Sequence, residues 1–331
     1  MDMIFVSSTP HLHSPARTGQ IMLMVILALA PATLVGAFVF GVRSWLIIGL
    51  CVGACIGFEA LFQRMTRRTV TISDLSAAVT GLLLALNMPV SVPFWIPIVG
   101  SFVAIIIVKQ LFGGLGQNFM NPALGARAFL VASYAPEMAG AFTEPVNNFL
   151  GTDIIATATP LANIGGAEVL VEAVEALNFG SLLIGTHGGT IGETSAIALI
   201  IGGLFLLFKK IITWHIPVTY IGTVLLMAFF LQPPCLGWGW QFPVFHLLAG
   251  GLMLGAFYMA TDYSSSPITP VGKIIMGIGC GFFTMLIRLY GSLPEGVSYA
   301  ILFMNLWVPL IDRVTKPRIF GTKRKLFGGA K

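Results

Sequence analysis

The chain has 331 residues, of which 56% are hydrophobic and only 9% charged. Soluble domains carry about 25% charged residues, so the composition excludes a water-soluble globular fold and defines an integral membrane protein. A formal charge of +5 does not indicate nucleic acid, because the basic residues gather at the ends of apolar segments and in the tail.

In chain order, hydropathy predicts ten apolar helices: 21–41, 45–63, 75–88, 95–112, 121–134, 195–208, 216–231, 245–260, 273–290 and 296–311. A span needs about 20 apolar residues, so several are short, and the third and eighth cannot cross a bilayer alone. The first run ends in no small-residue cleavage site and is expected to stay as a span, not a signal peptide. Cys51 and Cys55 stand at helical i,i+4 spacing, but no Cys or His partner is near them in sequence; packing is the expected role. His11 and His13 are two ligands at most, a poor metal site.

Charge sets the expected topology. With the N-terminus inside, Arg64, Arg67, Arg68, Lys109, Lys209, Lys210, Lys273 and the tail from Arg313 to Lys331 all fall on the cytoplasmic side, as the positive-inside rule requires. Arg43 and Arg288 fall near the outer side, and Arg127 within a span. The stretch 135–194 contains no Lys or Arg but seven acids: Glu137, Glu144, Asp153, Glu168, Glu172, Glu175 and Glu193. It is expected outside. The domain reading is therefore a cytoplasmic segment 1–20, five helices over 21–134, an external loop 135–194, five helices over 195–311 and a basic cytoplasmic tail 312–331.

The halves echo each other. Leu82-Leu-Leu-Ala-Leu-Asn-Met-Pro89 resembles Leu252-Met-Leu-Gly-Ala-Phe-Tyr-Met-Ala-Thr-Asp262, and Lys109-Gln-Leu-Phe-Gly113 resembles Arg288-Leu-Tyr-Gly291. Five helices per half would make the repeats inverted. Inverted repeats with short or interrupted helices are a transporter-type architecture.

Several polar residues sit in or beside the spans. Asp74 opens the third, either capping free N–H groups or lining an ion or cofactor cavity. Asp262 ends the eighth, lining a cavity or capping the next turn. Both are ion-path candidates. The glycines of 113–116 follow no strand and precede no Gly-Lys-Ser/Thr, so they are no phosphate loop. Pro122 suits a first helical position, which puts Arg127 about one turn inside a span. There a charge is costly unless paired or wet. It would face a cofactor phosphate or a carboxylate, or snorkel to the surface. Arg288 and Glu295 flank an expected external turn and could pair. No nucleophile elbow, zinc motif or paired carboxylates emerge: catalytic and metal residues are read as none, and redox chemistry would belong to a cofactor.

Six stretches carry a family resemblance. They are Val6-Ser-Ser-Thr-Pro-His11, 74–89, Asn121-Pro-Ala-Leu-Gly-Ala-Arg-Ala-Phe-Leu130, Ala260-Thr-Asp262 with Pro294-Glu-Gly296, and Pro309-Leu-Ile-Asp-Arg-Val-Thr-Lys-Pro-Arg318. In this order they resemble the D subunit of the Rnf electron-transport complex, from about residue 5 to residue 320. The related B subunit of the sodium-translocating NADH:quinone oxidoreductase shares the core but usually has a longer N-terminal extension. The resemblance implies FMN joined by a phosphoester to a Thr in an external loop, added by a flavin transferase at a pattern similar to Asp-x-x-Ser/Thr-Gly-x-Thr. Laid on Asp153-Ile-Ile-Ala-Thr-Ala-Thr159, it makes Asp153 the first position, Ala158 the small residue and Thr159 the attachment site. Ala156 and Thr157 depart from it, and Thr157 is a minor rival. Thr159 precedes Pro160, which favours extended backbone open to a modifying enzyme.

The resemblance further implies electron transfer between reduced ferredoxin and NAD coupled to Na⁺ or H⁺ movement, other flavin and iron–sulfur subunits as partners, and a second, noncovalent flavin (riboflavin). The chain has no Cys set for an iron–sulfur cluster and no nucleotide fold, so ferredoxin and NAD would dock elsewhere. The rival expectation is a secondary transporter or channel subunit without flavin; a third is a purely structural anchor for partner subunits.

Overall fold

The computed structural model describes residues 17–139, 142, 180, 183, 185, 188–232, 239–291 and 296–316. Among them there are helices and turns but no strand. The helices are α1 (Thr18–Val39), α2 (Val42–Met65), α3 (Ser76–Leu86), α4 (Trp95–Gln110), α5 (Pro122–Ser133), the short α6 (Ala135–Ala139), α7 (Ala196–Phe208), α8 (His215–Phe230), α9 (Gln241–Leu248), α10 (Leu252–Met259), α11 (Pro270–Tyr290) and α12 (Val297–Val314). Each of the ten expected apolar segments contains a helix, the eighth in two pieces.

Length decides which helices can cross a membrane. Among the described residues, α1, α2, α11 and α12 are long and apolar enough, and α9 with α10 makes a fifth if the bent pair is one span. The eleven residues of α3 rise only about 16 Å, roughly half the hydrocarbon thickness. The α9–α10 pair bends by 65° at Gly250, whose φ of 74° is left-handed backbone that glycine adopts without steric cost. Large apolar side chains such as Leu27, Phe38, Leu204, Phe230 and Leu306 point outward. They form a lipid-facing coat: the protein is an all-α, multi-pass membrane protein.

Packing pairs the halves. In the first, α2 packs on α3 and α4; in the second, α8 packs on α11. Across the middle, α1 meets α7 and α5 meets α12. Successive helices alternate in direction, so one end of the bundle gathers residues near 17–20, 64–75, 111–121, 209–215 and 260–273. Contacts tie that basic end together: Thr269 hydroxyl to Thr315 hydroxyl at 2.6 Å and Lys273 Nζ to Thr213 Oγ1 at 3.3 Å, with Tyr263 donating to the Ile211 carbonyl. At the opposite end Arg43 Nη2 donates to the carbonyls of Ser91 and Val92 at 2.9 and 3.1 Å. In the middle Tyr258 donates to the carbonyls of Ala28 and Leu199, both at 3.1 Å, joining α1 to α7.

Candidate functional site

The expected flavin positions, Asp153, Ala158 and Thr159, and the rival Thr157, lie outside the described residues. What the structure builds is a polar interior, at two helix breaks and one chamber.

The first break ends α3. Asn87 is its C-cap and donates to the Leu83 carbonyl at 2.6 Å. Its Oδ1 accepts from Arg127 Nη1 at 2.6 Å. Arg127 lies on α5, which starts with Asn121 as N-cap, its side chain accepting from the N–H groups of Ala123 and Leu124, and Pro122 at the first position. That start puts Arg127 a turn inside the helix, as expected. It is only 7% exposed and bonded to an interior residue, so it does not snorkel.

The second break follows α9. Arg288 of α11 donates to the carbonyls of His246 at 2.6 Å and Ala249 at 3.1 Å. These are last-turn carbonyls with no helical partner, and a cation there also meets the negative end of the helix dipole. Arg288 therefore serves as a buried cap on α9. Glu295, its expected partner, lies outside the described residues.

Lys109 lies toward the basic end of the bundle, where it lines a cavity, and it is only 2% exposed. Its Nζ meets Glu59 Oε2 at 3.0 Å and Ser76 Oγ at 2.6 Å, while Gln110 Nε2 donates to Glu59 Oε1 at 2.8 Å. Both residues can turn inward because 103–110 winds as π-helix, a geometry common at functional positions. The sequence reading passes over Glu59, although a signal is present: an acid inside a long apolar helix needs a partner or a purpose.

At the basic end α1, α3, α7, α10 and the 111–121 turn enclose a cavity of about 90 Å³. Its polar wall comprises Ser76, Thr80, Lys109, Asn118, Asn121 and Asp262; Leu83, Leu206 and Phe257 supply apolar wall. Asp262 both lines the cavity and organises the next turn: Oδ2 accepts from the hydroxyls of Ser264 at 2.9 Å and Ser265 at 3.0 Å. Burial pushes its carboxyl up from the usual aspartate range, against those hydrogen bonds. Asp74 ends a 3₁₀ turn and accepts from the backbone N–H of Ser76 at 2.8 Å and its hydroxyl at 2.7 Å. The geometry thus gives Asp74 a capping role at the start of α3, beside a shallow groove shared with Arg17, Gln20 and Thr71.

Short helices, buried arginines at two helix breaks and a polar interior chamber define a multi-pass membrane protein with a polar interior. The chain belongs to the NQR2, RnfD, RnfE family, whose sequence profile matches residues 5–321. It is 48% identical to the D subunit of the Na(+)-translocating ferredoxin:NAD(+) oxidoreductase complex of Acetobacterium woodii, over 96% of each chain. It is 42% identical to the D subunit of the proton-translocating ferredoxin:NAD(+) oxidoreductase complex of Clostridium ljungdahlii, again over 96% of each. A third relative, the D subunit of the ion-translocating oxidoreductase complex of Aeromonas salmonicida, is 35% identical over 98% of this chain and 100% of its own.

Proposed function

We propose that this chain is the D subunit of an Rnf-type complex, assembled with other Rnf subunits, in which electron transfer from ferredoxin to NAD is coupled to ion movement. The reading rests on near full-length similarity to relatives named for that role and on a bundle with a polar interior. The chain is a non-autonomous part of a redox translocase. The ion stays unnamed for a definite reason: one relative at 48% identity is named for Na⁺ and one at 42% for protons, so overall likeness does not choose between them.

Its own chemistry is carried by FMN, joined covalently through phosphate to Thr159 by a flavin transferase, with Asp153 and Ala158 as recognition positions. The flavin supplies electron transfer; the chain fixes where it sits, so that relay does not depend on a binding equilibrium. The lack of Lys and Arg over 135–194 supports an external position in the cytoplasmic membrane of a bacterium or archaeon, with both termini inside. A second, noncovalent flavin would take the chamber at the basic end. Its amides and hydroxyl are engaged at present, Asn118 donating to the Met120 carbonyl, Asn121 to the Met259 carbonyl and Thr80 to the Ser76 carbonyl, and Leu83 and Phe257 supply apolar wall. At about 90 Å³ that chamber holds several waters, so its walls must part for a flavin to enter.

The two helix breaks favour one rival, a transporter or channel subunit without flavin. Flavin fluorescence of this chain on a denaturing gel, after expression with its transferase, separates them. The expected outcome is a fluorescent band in wild type and none in Thr159→Val. A dark wild-type band, with the transferase active on a control substrate, would overturn the covalent-flavin reading and favour the transporter.

A further inference from the structure

At the basic end α7 stops in an unusual way. Lys209 is its C-cap, and Lys210, next in the chain, takes left-handed backbone with φ 57°. Lys210 N–H donates to the Leu207 carbonyl and Ile211 N–H to the Leu206 carbonyl, each at 3.0 Å. Glycine or asparagine normally fills this position, because a side chain is disfavoured there. The end of α2 repeats the pattern. Arg67 has φ 53°; its N–H donates to the Arg64 carbonyl at 3.2 Å, and Arg68 N–H donates to the Gln63 carbonyl at 2.9 Å. Twice, at one end of the bundle, a long cation stands where glycine is favoured.

Helix electrostatics does not explain Lys210. A cation does suit the negative end of a helix, but Lys209 already supplies one at α7, its Nζ 5.9 Å over the Phe205 ring. Lys273 is placed less favourably still, in the first turn of α11, where the dipole is positive. Its Nζ reaches Thr213 Oγ1 at 3.3 Å, so it lies against the 209–215 turn that carries Lys210. Tyr263 closes the same turn from the α10 side by donating to the Ile211 carbonyl. Nothing nearby balances this charge. Among the described residues Lys209, Lys210 and Lys273 have no ion pair within 4 Å, and no acid opens α8 or α11. The acids of the adjoining segments are engaged: Asp262 with Ser264 and Ser265, and Asp312 with the Ile268 N–H at 3.1 Å.

The surroundings say what kind of anion fits. Phe208 is 84% and Ile268 83% exposed, and Trp214 and Tyr263 are exposed beside them. Large apolar side chains mixed with Trp, Tyr and Lys mark the depth where acyl chains give way to headgroups. We propose that Lys210 and Lys273, across the 209–215 turn, form a binding site for the headgroup of an anionic phospholipid. The two ammonium groups take the phosphate, and Phe208, Trp214 and Ile268 lie against the glycerol and the upper acyl chains. Juxtamembrane cations attract anionic lipid in general; here the unfavourable backbone of Lys210 marks one particular place.

The test uses the purified complex in nanodiscs of phosphatidylcholine, alone or mixed in equal parts with phosphatidylglycerol, and reads the thermal midpoint of this chain. Phosphatidylglycerol should raise the midpoint of wild type, and K210G/K273Q should lose most of that rise. R64Q, which removes an exposed cation from the end of α2, should keep it. In phosphatidylcholine alone K210G should melt no lower than wild type, because glycine accepts the left-handed backbone without a side-chain clash. Four results would overturn the proposal. They are no rise in wild type, an equal loss in R64Q (diffuse surface charge), a lower midpoint for K210G in phosphatidylcholine (a lysine that serves the fold itself), and release of a neighbouring subunit by K210G/K273Q (a protein-docking face). Should K273Q prevent accumulation, K210N alone, which also tolerates this backbone, must lose part of the rise. None of these readouts depends on flavin.

Discussion

Two helix pairs, one from each half of the chain, are bridged by different chemistry. In the first half α2 and α4 are joined by an ion pair, Glu59 with Lys109 at 3.0 Å. In the second, α8 and α11 are joined by two hydroxyls, Tyr220 with Thr284 at 2.7 Å. All four side chains are buried. Both halves thus tie these helices with a polar contact, but only one of them uses charge. The charged version costs desolvation that the neutral version avoids, and it stands where Lys109 also lines the chamber at the basic end. Of these two bridges, the charged one borders the chamber.

Lys109→Met probes the charged bridge most severely. It strands the Glu59 carboxylate in the interior, and removing one partner of a buried pair costs about 3–5 kcal/mol. A large drop in thermal midpoint in detergent is expected, with much of it recovered in E59Q/K109M; a loss as small as that of an exposed ion pair would mean the bridge is hydrated and carries little. Next in size is Gly192→Ala, which tests a glycine wedged between α3 and α10. Its Cβ would meet Leu86 Cβ and the Leu86 carbonyl oxygen, each at 2.7 Å. Overpacking of this kind costs about 1–3 kcal/mol, and the same melt should show it; an unchanged midpoint would mean that the 190–195 segment shifts freely. Smallest is Tyr220→Phe, which removes one hydroxyl of the neutral bridge and should cost about 1 kcal/mol. If Tyr220→Phe proved as damaging as Lys109→Met, the contrast between the two bridges would be lost.

The helices are legible in the sequence because each is an apolar run long enough to register, and their order predicts the short third and the interrupted eighth. Arg127 is legible too, since Pro122 fixes the helix start and so the depth of the arginine. The burial of Lys109 is not legible for a physical reason: charge counting speaks to the side of the membrane, and the partner Glu59 lies 50 residues away. Nothing local announces that pairing. Glu193 counts among the acids of a solvent-facing loop, yet it is buried; charge composition speaks to the side of the membrane, not the depth. The two roles open to Asp74 and Asp262 cannot be separated from sequence, because capping and cavity lining use the same residue types.

The π-helical turn of α4 also sets direction. In an α-helix adjacent residues point about 100° apart, yet Lys109 and Gln110 both reach the same carboxyl group of Glu59. The wider winding acts like an extra residue spliced into an ordinary helix, turning everything after it to a new bearing. Removing one residue from 103–108 would undo the splice and swing Lys109 toward lipid. The interior charge of this protein is thus set by the phase of one helix as much as by which amino acids it contains.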